Sequence, residues 1–230
     1  MLKALIFLTG LGMQLSAQVH PSPILLIHRD LLKPGNEAAY REIEEDTARL
    51  MRGALPLTGE QKVQFPNPYL AVEPLTGPKE VWFLTGWNSM ADYEQVGDEY
   101  SRKAPASLVA ALEKNSKKKA ALTFGPISVF THYRQDLSRG EQWSVGRGRF
   151  LVITVTKRSG PFEGAVFETA DHTRFVVMAA RTREEVDSEA VAAGPEAKVF
   201  AVRPCWTRPA KEWVSADPAF WQSWIPKTVE

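Results

Sequence analysis

Ile24-Leu25-Leu26-Ile27-His28-Arg29-Asp30-Leu31, stopped by Pro34-Gly35 and followed by Asn36, is the stretch on which the fold is decided. A short aliphatic run ending in Pro-Gly reads as a strand and a turn. Asn36 then caps a helix. Along that helix Ala39, Tyr40, Ile43, Thr47 and Leu50 recur at three- and four-residue spacing, while Glu42, Glu44, Glu45 and Arg49 fall on the wet side. Beyond a loop holding Pro56, Pro66 and Pro68, Tyr69–Leu75 and Glu80–Trp87 read as two strands about a Thr76-Gly77-Pro78 turn. Ser89 with Asp92 predicts a cap for a helix carrying Met90, Tyr93, Val96 and Tyr100. Pro105 opens a further helix through Leu108, Val109 and Leu112. It ends at Lys117-Lys118-Lys119, which read as a solvated end at the negative pole of the helix. Ile127–Tyr133 closes this half as a strand.

The order β-α-β-β-α-β is that of the split βαβ, or ferredoxin-like, unit. The second half repeats it with one part missing. Phe150–Thr156 reads as a strand, Ala165-Val166-Phe167-Glu168 parallels Leu70-Ala71-Val72-Glu73, and Phe175–Met178 parallels Val81–Leu84. Thr182 with Glu185 predicts the following helix start, and Lys198–Val202 the closing strand. Only Lys157–Gly164 separates the first two strands here, so the first helix is expected to be absent.

Composition excludes several classes. With 24% charged and 10% aromatic residues the chain is globular, and its single Cys builds no disulfide framework. A formal charge of +1 gives no field for gathering phosphates, so no nucleic-acid partner is expected. Met1 and Lys3, the apolar run Ala4–Met13 and the small residue Ala17 have the layout of a secretory signal peptide cut after Ala17. That predicts an exported protein, periplasmic or extracellular. Losing Lys3 with residues 1–17 leaves a formal charge of zero. No stretch approaches the roughly 20 apolar residues of a membrane helix. The expected organisation is a leader (1–17), a first unit (22–138), a second, degenerate unit (148–206) and a Trp-rich tail (207–230).

The stretch Leu26–Gly35 followed by a helix resembles the opening of the dimeric α/β-barrel superfamily, which includes antibiotic-biosynthesis-monooxygenase-like and NIPSNAP-like domains. Pro74–Ser89 and Tyr133–Ser138 are similar to uncharacterised secreted bacterial members with two such domains. The resemblance covers residues 22–138 well and 148–206 weakly, and it is one of framework rather than of a catalytic signature. It implies an α+β fold in which two ferredoxin-like βαββαβ repeats, the second lacking its first helix, close a pseudo-dimeric barrel, as a monomer or a homodimer. It also implies a small hydrophobic or aromatic ligand between the sheet and helices of the first repeat.

Four histidines are present: His20, His28, His132 and His172. His28 and His132 fall on the first and fourth strands, neighbours in the 4-1-3-2 order of a ferredoxin-like sheet. As a pair they could ligate a metal or haem iron, or one could act as a base. In the competing reading each donates to backbone or to a carboxylate, Asp30 being two residues from His28 and on the same face. Arg29 and Arg134 read as rim or ion-paired strand arginines, with an anionic ligand as the third reading. Tyr69, Trp82, Trp87 and Asn88 come from the hairpin and its exit. Tyr69, Trp87, Asn88 and Arg29 are candidate ligand contacts, of which the resemblance carries only Trp87-Asn88, against core packing of the aromatics. No cofactor is predicted, with haem possible at the histidines.

No Gly-x-Ser-x-Gly elbow, His-Glu-x-x-His, Walker loop or Cys-x-x-Cys occurs, no hydrolase triad is legible, and Gly146-Arg147-Gly148-Arg149 lacks the third glycine of a dinucleotide loop. Cys205 reads as a buried small hydrophobe. Trp206, Trp213, Phe220, Trp221, Trp224 and Ile225 crowd the tail, which is expected to cover the surface left by the missing helix or to meet a partner. Three functions follow as expectations: a ligand-binding barrel; a monooxygenase-like enzyme using His28 or His132; and an envelope interaction protein acting through the tail.

Overall fold

The computed structural model describes residues 21–54, 68–140, 146 and 148–222. The leader, His20, Pro56, Pro66, Trp224 and Ile225 lie outside the described residues. The first half consists of β1 (Ile24–Leu32), α1 (Glu37–Ala54), β2 (Tyr69–Pro74), β3 (Glu80–Trp87), α2 (Met90–Lys103), α3 (Ala106–Leu122) and β4 (Thr123–Tyr133). A two-residue strand β5 (Ser138–Arg139) follows. The second half consists of β6 (Phe150–Thr156), β7 (Phe162–Glu163), β8 (Ala165–Glu168), β9 (Arg174–Ala180), α4 (Arg183–Ala193) and β10 (Ala197–Val202), with α5 (Lys211–Ala216) after it.

Eight of these strands close an antiparallel barrel in the order β1-β3-β2-β10-β6-β9-β8-β4. The first-half strands run β4-β1-β3-β2 and the second-half strands β10-β6-β9-β8. Between β6 and β8 there is no helix, as expected. The loop instead carries β7, which pairs in parallel with β5.

Strand alternation sorts the side chains between two cores. Leu25 and Ile27 of β1 point into the barrel, where they meet Leu70, Trp82, Leu84, Leu151, Ile153, Phe167, Phe175 and Phe200. The outer face carries Leu32, Ala71 and Val81, packed with Tyr40 of α1 and with Trp206. Trp82 lies 4.8 Å from Phe200, ring to ring, so the interior is filled rather than hollow.

β4 begins at Thr123, four residues before the strand read from the sequence. Gly125 takes φ 104°, and Pro126 stands opposite Asp30. Only His132 and Tyr133 of β4 pair with β8. The earlier half of β4 therefore has no strand on that side, an edge where proline is tolerated.

The tail packs on its own chain. Residues 203–208 run beside β2, where Thr207 Oγ1 accepts from the Ala71 amide at 3.0 Å and Tyr69 and Arg208 exchange backbone hydrogen bonds. Trp213 and Trp221 then join the interior core. The surface they cover is the mouth of the barrel near the start of β6, not the outer face of β6 and β9 between Thr156 and Ala165. That outer face carries Thr154, Val176 and Met178. Pro161 and Phe162 partly cover it, leaving a recess of about 230 Å³.

Candidate functional site

The outer face of β1 and β4 brings a polar chain together beneath the helices. His28 Nδ1 lies 2.8 Å from Ser128 Oγ, and His28 Nε2 lies 3.4 Å from Asp30 Oδ1. Tyr40 of α1 donates its hydroxyl to Asp30 Oδ2 at 2.6 Å. Lys119 of α3 places Nζ 3.8 Å from Asp30 Oδ2 and 2.6 Å from Glu44 Oε1. Asp30 and Glu44 are buried, His28 is one-third exposed and Ser128 is exposed, so the chain runs from the interior out to solvent.

These positions follow from local rules. In β1 the outward set is Ile24, Leu26, His28, Asp30 and Leu32, so a period of two puts the imidazole and the carboxylate on one face. Tyr40, Glu44 and Thr47 recur along α1 at helical spacing, which carries Tyr40 over Asp30 and Glu44 towards α3. Asn115 of α3 ties the two helices by donating to Asp46 and Thr47.

Burial raises the pKa of Asp30, but hydrogen bonds with His28 and Tyr40 and the charge of Lys119 outweigh it and hold the carboxyl below its usual range. Tyr40 is pushed far above the ordinary phenol range, first by burial and then by the Glu44 and Asp30 carboxylates. Tyr40 therefore stays a donor and Asp30 an acceptor. In the neutral imidazole Nε2 carries the hydrogen towards Asp30, and Nδ1 accepts from Ser128.

Around His28 the wall is aromatic and only half covered. Phe83 lies 6.0 Å from the imidazole and 6.0 Å from Tyr69, ring to ring. Leu26, Thr85 and Phe130 continue the half-buried strip. Above it Tyr93 of α2 stands edge-on to Trp87 at 5.2 Å and to Phe130 at 5.1 Å. The buried Trp87 Nε1 has no hydrogen-bond partner among the described residues.

The residues predicted from sequence divide over several places. Tyr69, Trp87 and His28 share the outer face of the first-half strands, and Asn88 is exposed just past β3. Arg29 is on the other side. It lies inside the barrel, donates to Glu80 at 2.7 and 3.2 Å and stacks on Trp82 at 4.5 Å, while Lys198 reaches the same carboxylate at 3.2 Å. Burial opposes the ionisation of Glu80, but the Arg29 hydrogen bonds overcome it and hold the carboxyl below its usual range.

His28 and His132 do face the same way, yet the register opposes Ser128 to His28 and Ile24 to His132. Four strand positions, about 13 Å at the usual rise, separate the two imidazoles, so they cannot share a ligand. His132 is exposed. Arg134 is ion-paired with Asp136 and with buried Glu168, which also takes His172 Nδ1 at 2.6 Å.

An iron at His28 would take Nδ1 in place of the exposed Ser128 hydroxyl, because Nε2 faces the buried Asp30. Among the described residues no group of three His, Cys, Asp or Glu side chains is placed to hold a metal ion.

Ser128, Tyr40, Glu44 and Lys119 are site residues not legible as such in the sequence, and Glu44, expected on the wet side of α1, is instead buried against Lys119 because α3 covers that face. Lys117-Lys118-Lys119 reads as one solvated end, yet Lys117 and Lys118 are exposed while Lys119 turns inward. Helical phase relative to Leu108 and Asn115, the buried positions of α3, is the signal that separates them.

No protein-family model matches the chain, and no curated protein does. Among solved structures, a similar chain is the one described as "putative monooxygenase from Lactobacillus acidophilus NCFM", at 9% identity and a TM-score of 0.45 over 79% of this chain and 94% of that one.

Proposed function

We propose that the half-buried strip of Leu26, Tyr69, Phe83, Thr85 and Phe130 binds a small hydrophobic or aromatic molecule bearing a hydroxyl group, with His28 as its polar contact. The carrying observation is an imidazole flanked by aromatic rings, fixed at Nε2 by an ionised, buried Asp30 and open at Nδ1 through an exposed serine hydroxyl. A ligand hydroxyl replacing that of Ser128 would meet an oriented acceptor, and the free Trp87 indole N–H adds a donor at the strip's end. The monooxygenase-like alternative uses the same atom. Nδ1 would take the proton of a phenolic hydroxyl, with Asp30 stabilising the imidazolium that results. The tail reading draws less support, because Trp206, Trp213 and Trp221 are all buried in their own chain.

The barrel is, in this reading, a fused pair of ferredoxin-like units spanning residues 22–138 and 148–206, the second without its first helix. The shared strand order of the two halves supports it. Export rests on the leader-like start of the sequence.

The test is a calorimetric titration with 1-naphthol. One saturable site is expected, weakened about ten-fold by His28→Ala, as for loss of one hydrogen bond to a ligand. Binding that His28→Ala and Phe83→Leu both leave unchanged would refute the placement.

A further inference from the structure

A second recess, independent of the His28 strip, lies where the tail plugs the barrel. It has a volume of about 410 Å³, is partly open, and takes its walls from Trp213, Phe220 and Trp221 and its rim from Arg149, Arg181 and Asp217. That volume lies within the ordinary range for a small-molecule site.

The wall is built, not a gap between loose side chains. Trp221 is fully buried and Trp213 nearly so, their rings 6.3 Å apart, with Phe220 at 4.9 Å from Trp221. Gly146 takes φ 85°, and a Cβ there would stand 2.1 Å from the Trp213 ring, so the chain backbone is seated directly on the indole.

The rim is electrically unbalanced. Arg149 donates to Asp217 at 2.9 and 3.1 Å and lies over the Phe220 ring at 5.3 Å, so that pair neutralises itself. The start of α4 is also closed, by a capping box in which Thr182 and Glu185 satisfy each other's amides. The Arg181 guanidinium also lines the recess; it forms no salt bridge among the described residues, but its charge acts on Asp217, so the rim sets two arginines against one carboxylate. A flat aromatic wall beside a rim with one positive charge in excess is complementary to a ring bearing a carboxylate.

We propose that this recess binds small aromatic carboxylates, the ring lying against Phe220 and the open edge of Trp213, with Trp221 packed behind them, and the carboxylate meeting Arg181. The test follows the indole N–H signals of Trp213 and Trp221 by NMR while the chain is titrated with 2-naphthoate or, as a neutral control, 2-naphthol. Both signals are expected to shift saturably, with 2-naphthoate binding about ten-fold tighter than 2-naphthol, the gain expected from a charge-assisted contact. Arg181→Gln should abolish that preference. Ala216→Trp, at an exposed position lining the recess, should abolish the shifts, and His28→Ala should leave them unchanged. The proposal is overturned by any of three results: no saturable shift in the unaltered chain, an undiminished preference in Arg181→Gln, or undiminished shifts in folded Ala216→Trp.

Discussion

Lys119→Met removes the cation that serves two buried carboxylates. Lys119 Nζ stands 2.6 Å from Glu44 Oε1 and 3.8 Å from Asp30 Oδ2, and lies over the rings of Phe83 and Tyr40 at 5.5 and 5.8 Å. Methionine keeps most of the apolar stem, so the loss is chiefly electrostatic. Breaking a fully buried pair from one side costs about 3–5 kcal/mol. The Lys119 side chain is 23% exposed, and water reaching it lowers the expected loss to about 2–3 kcal/mol. For a chain of this size that lowers the Tm by roughly 5–10 °C. Lys117→Met and Lys118→Met, two and one residues away on the exposed side of the same helix, should change stability by less than about 0.5 kcal/mol. The assay is urea unfolding of all three variants, together with Glu44→Gln and the double variant Glu44→Gln/Lys119→Met. The double variant should recover about 1 kcal/mol or more relative to the sum of the singles. If Lys119→Met unfolds with Lys118→Met, or the double variant is additive, the network does not hold the helices to the sheet as described.

Three further outcomes follow from single positions. Gly146→Ala places a methyl into the Trp213 ring at a left-handed φ and should cost about 2 kcal/mol or more, seen as a lower Tm and an altered near-ultraviolet tryptophan spectrum. Thr182→Ala removes the capping box of α4 and should cost about 1 kcal/mol in urea unfolding. Asp30 and Glu80 are held below the usual carboxylate range, so at acid pH the unfolded chain binds more protons than the folded one. The stability they contribute is present above the ordinary carboxylate pKa of about 4 and is lost as pH falls through their lowered values. Urea midpoints should fall between pH 5 and pH 3, and fall less in Asp30→Asn.

Strands and helices were legible wherever one short-range signal dominated: the aliphatic run of β1, the turn between β2 and β3, and the Thr182–Glu185 cap. The start of β4 was not. Gly125-Pro126 reads as a break, and only the absence of a strand beside it explains why pairing with β1 continues. At the site, a period of two sufficed to put His28 and Asp30 on one face. The partners that make His28 distinctive are remote in sequence: Ser128 depends on the β1–β4 register, and Tyr40 and Lys119 on how α1 and α3 lie over the sheet. Arg29 is one residue out of phase with His28 along β1, so it cannot share the face of Tyr69 and Trp87. The register places it inside the barrel on Glu80.

His28 presents Nδ1 as the acceptor of the aromatic strip, and long-range proton–nitrogen correlation spectra of the imidazole test this arrangement. A hydrogen on Nε2 and a lone pair on Nδ1 are expected. On adding 1-naphthol, the Nδ1 signal should shift together with the ring signals of Phe83 and Tyr69 and saturate with them. A hydrogen on Nδ1 in the neutral ring, or a His28 that does not respond while 1-naphthol binds elsewhere, would contradict it.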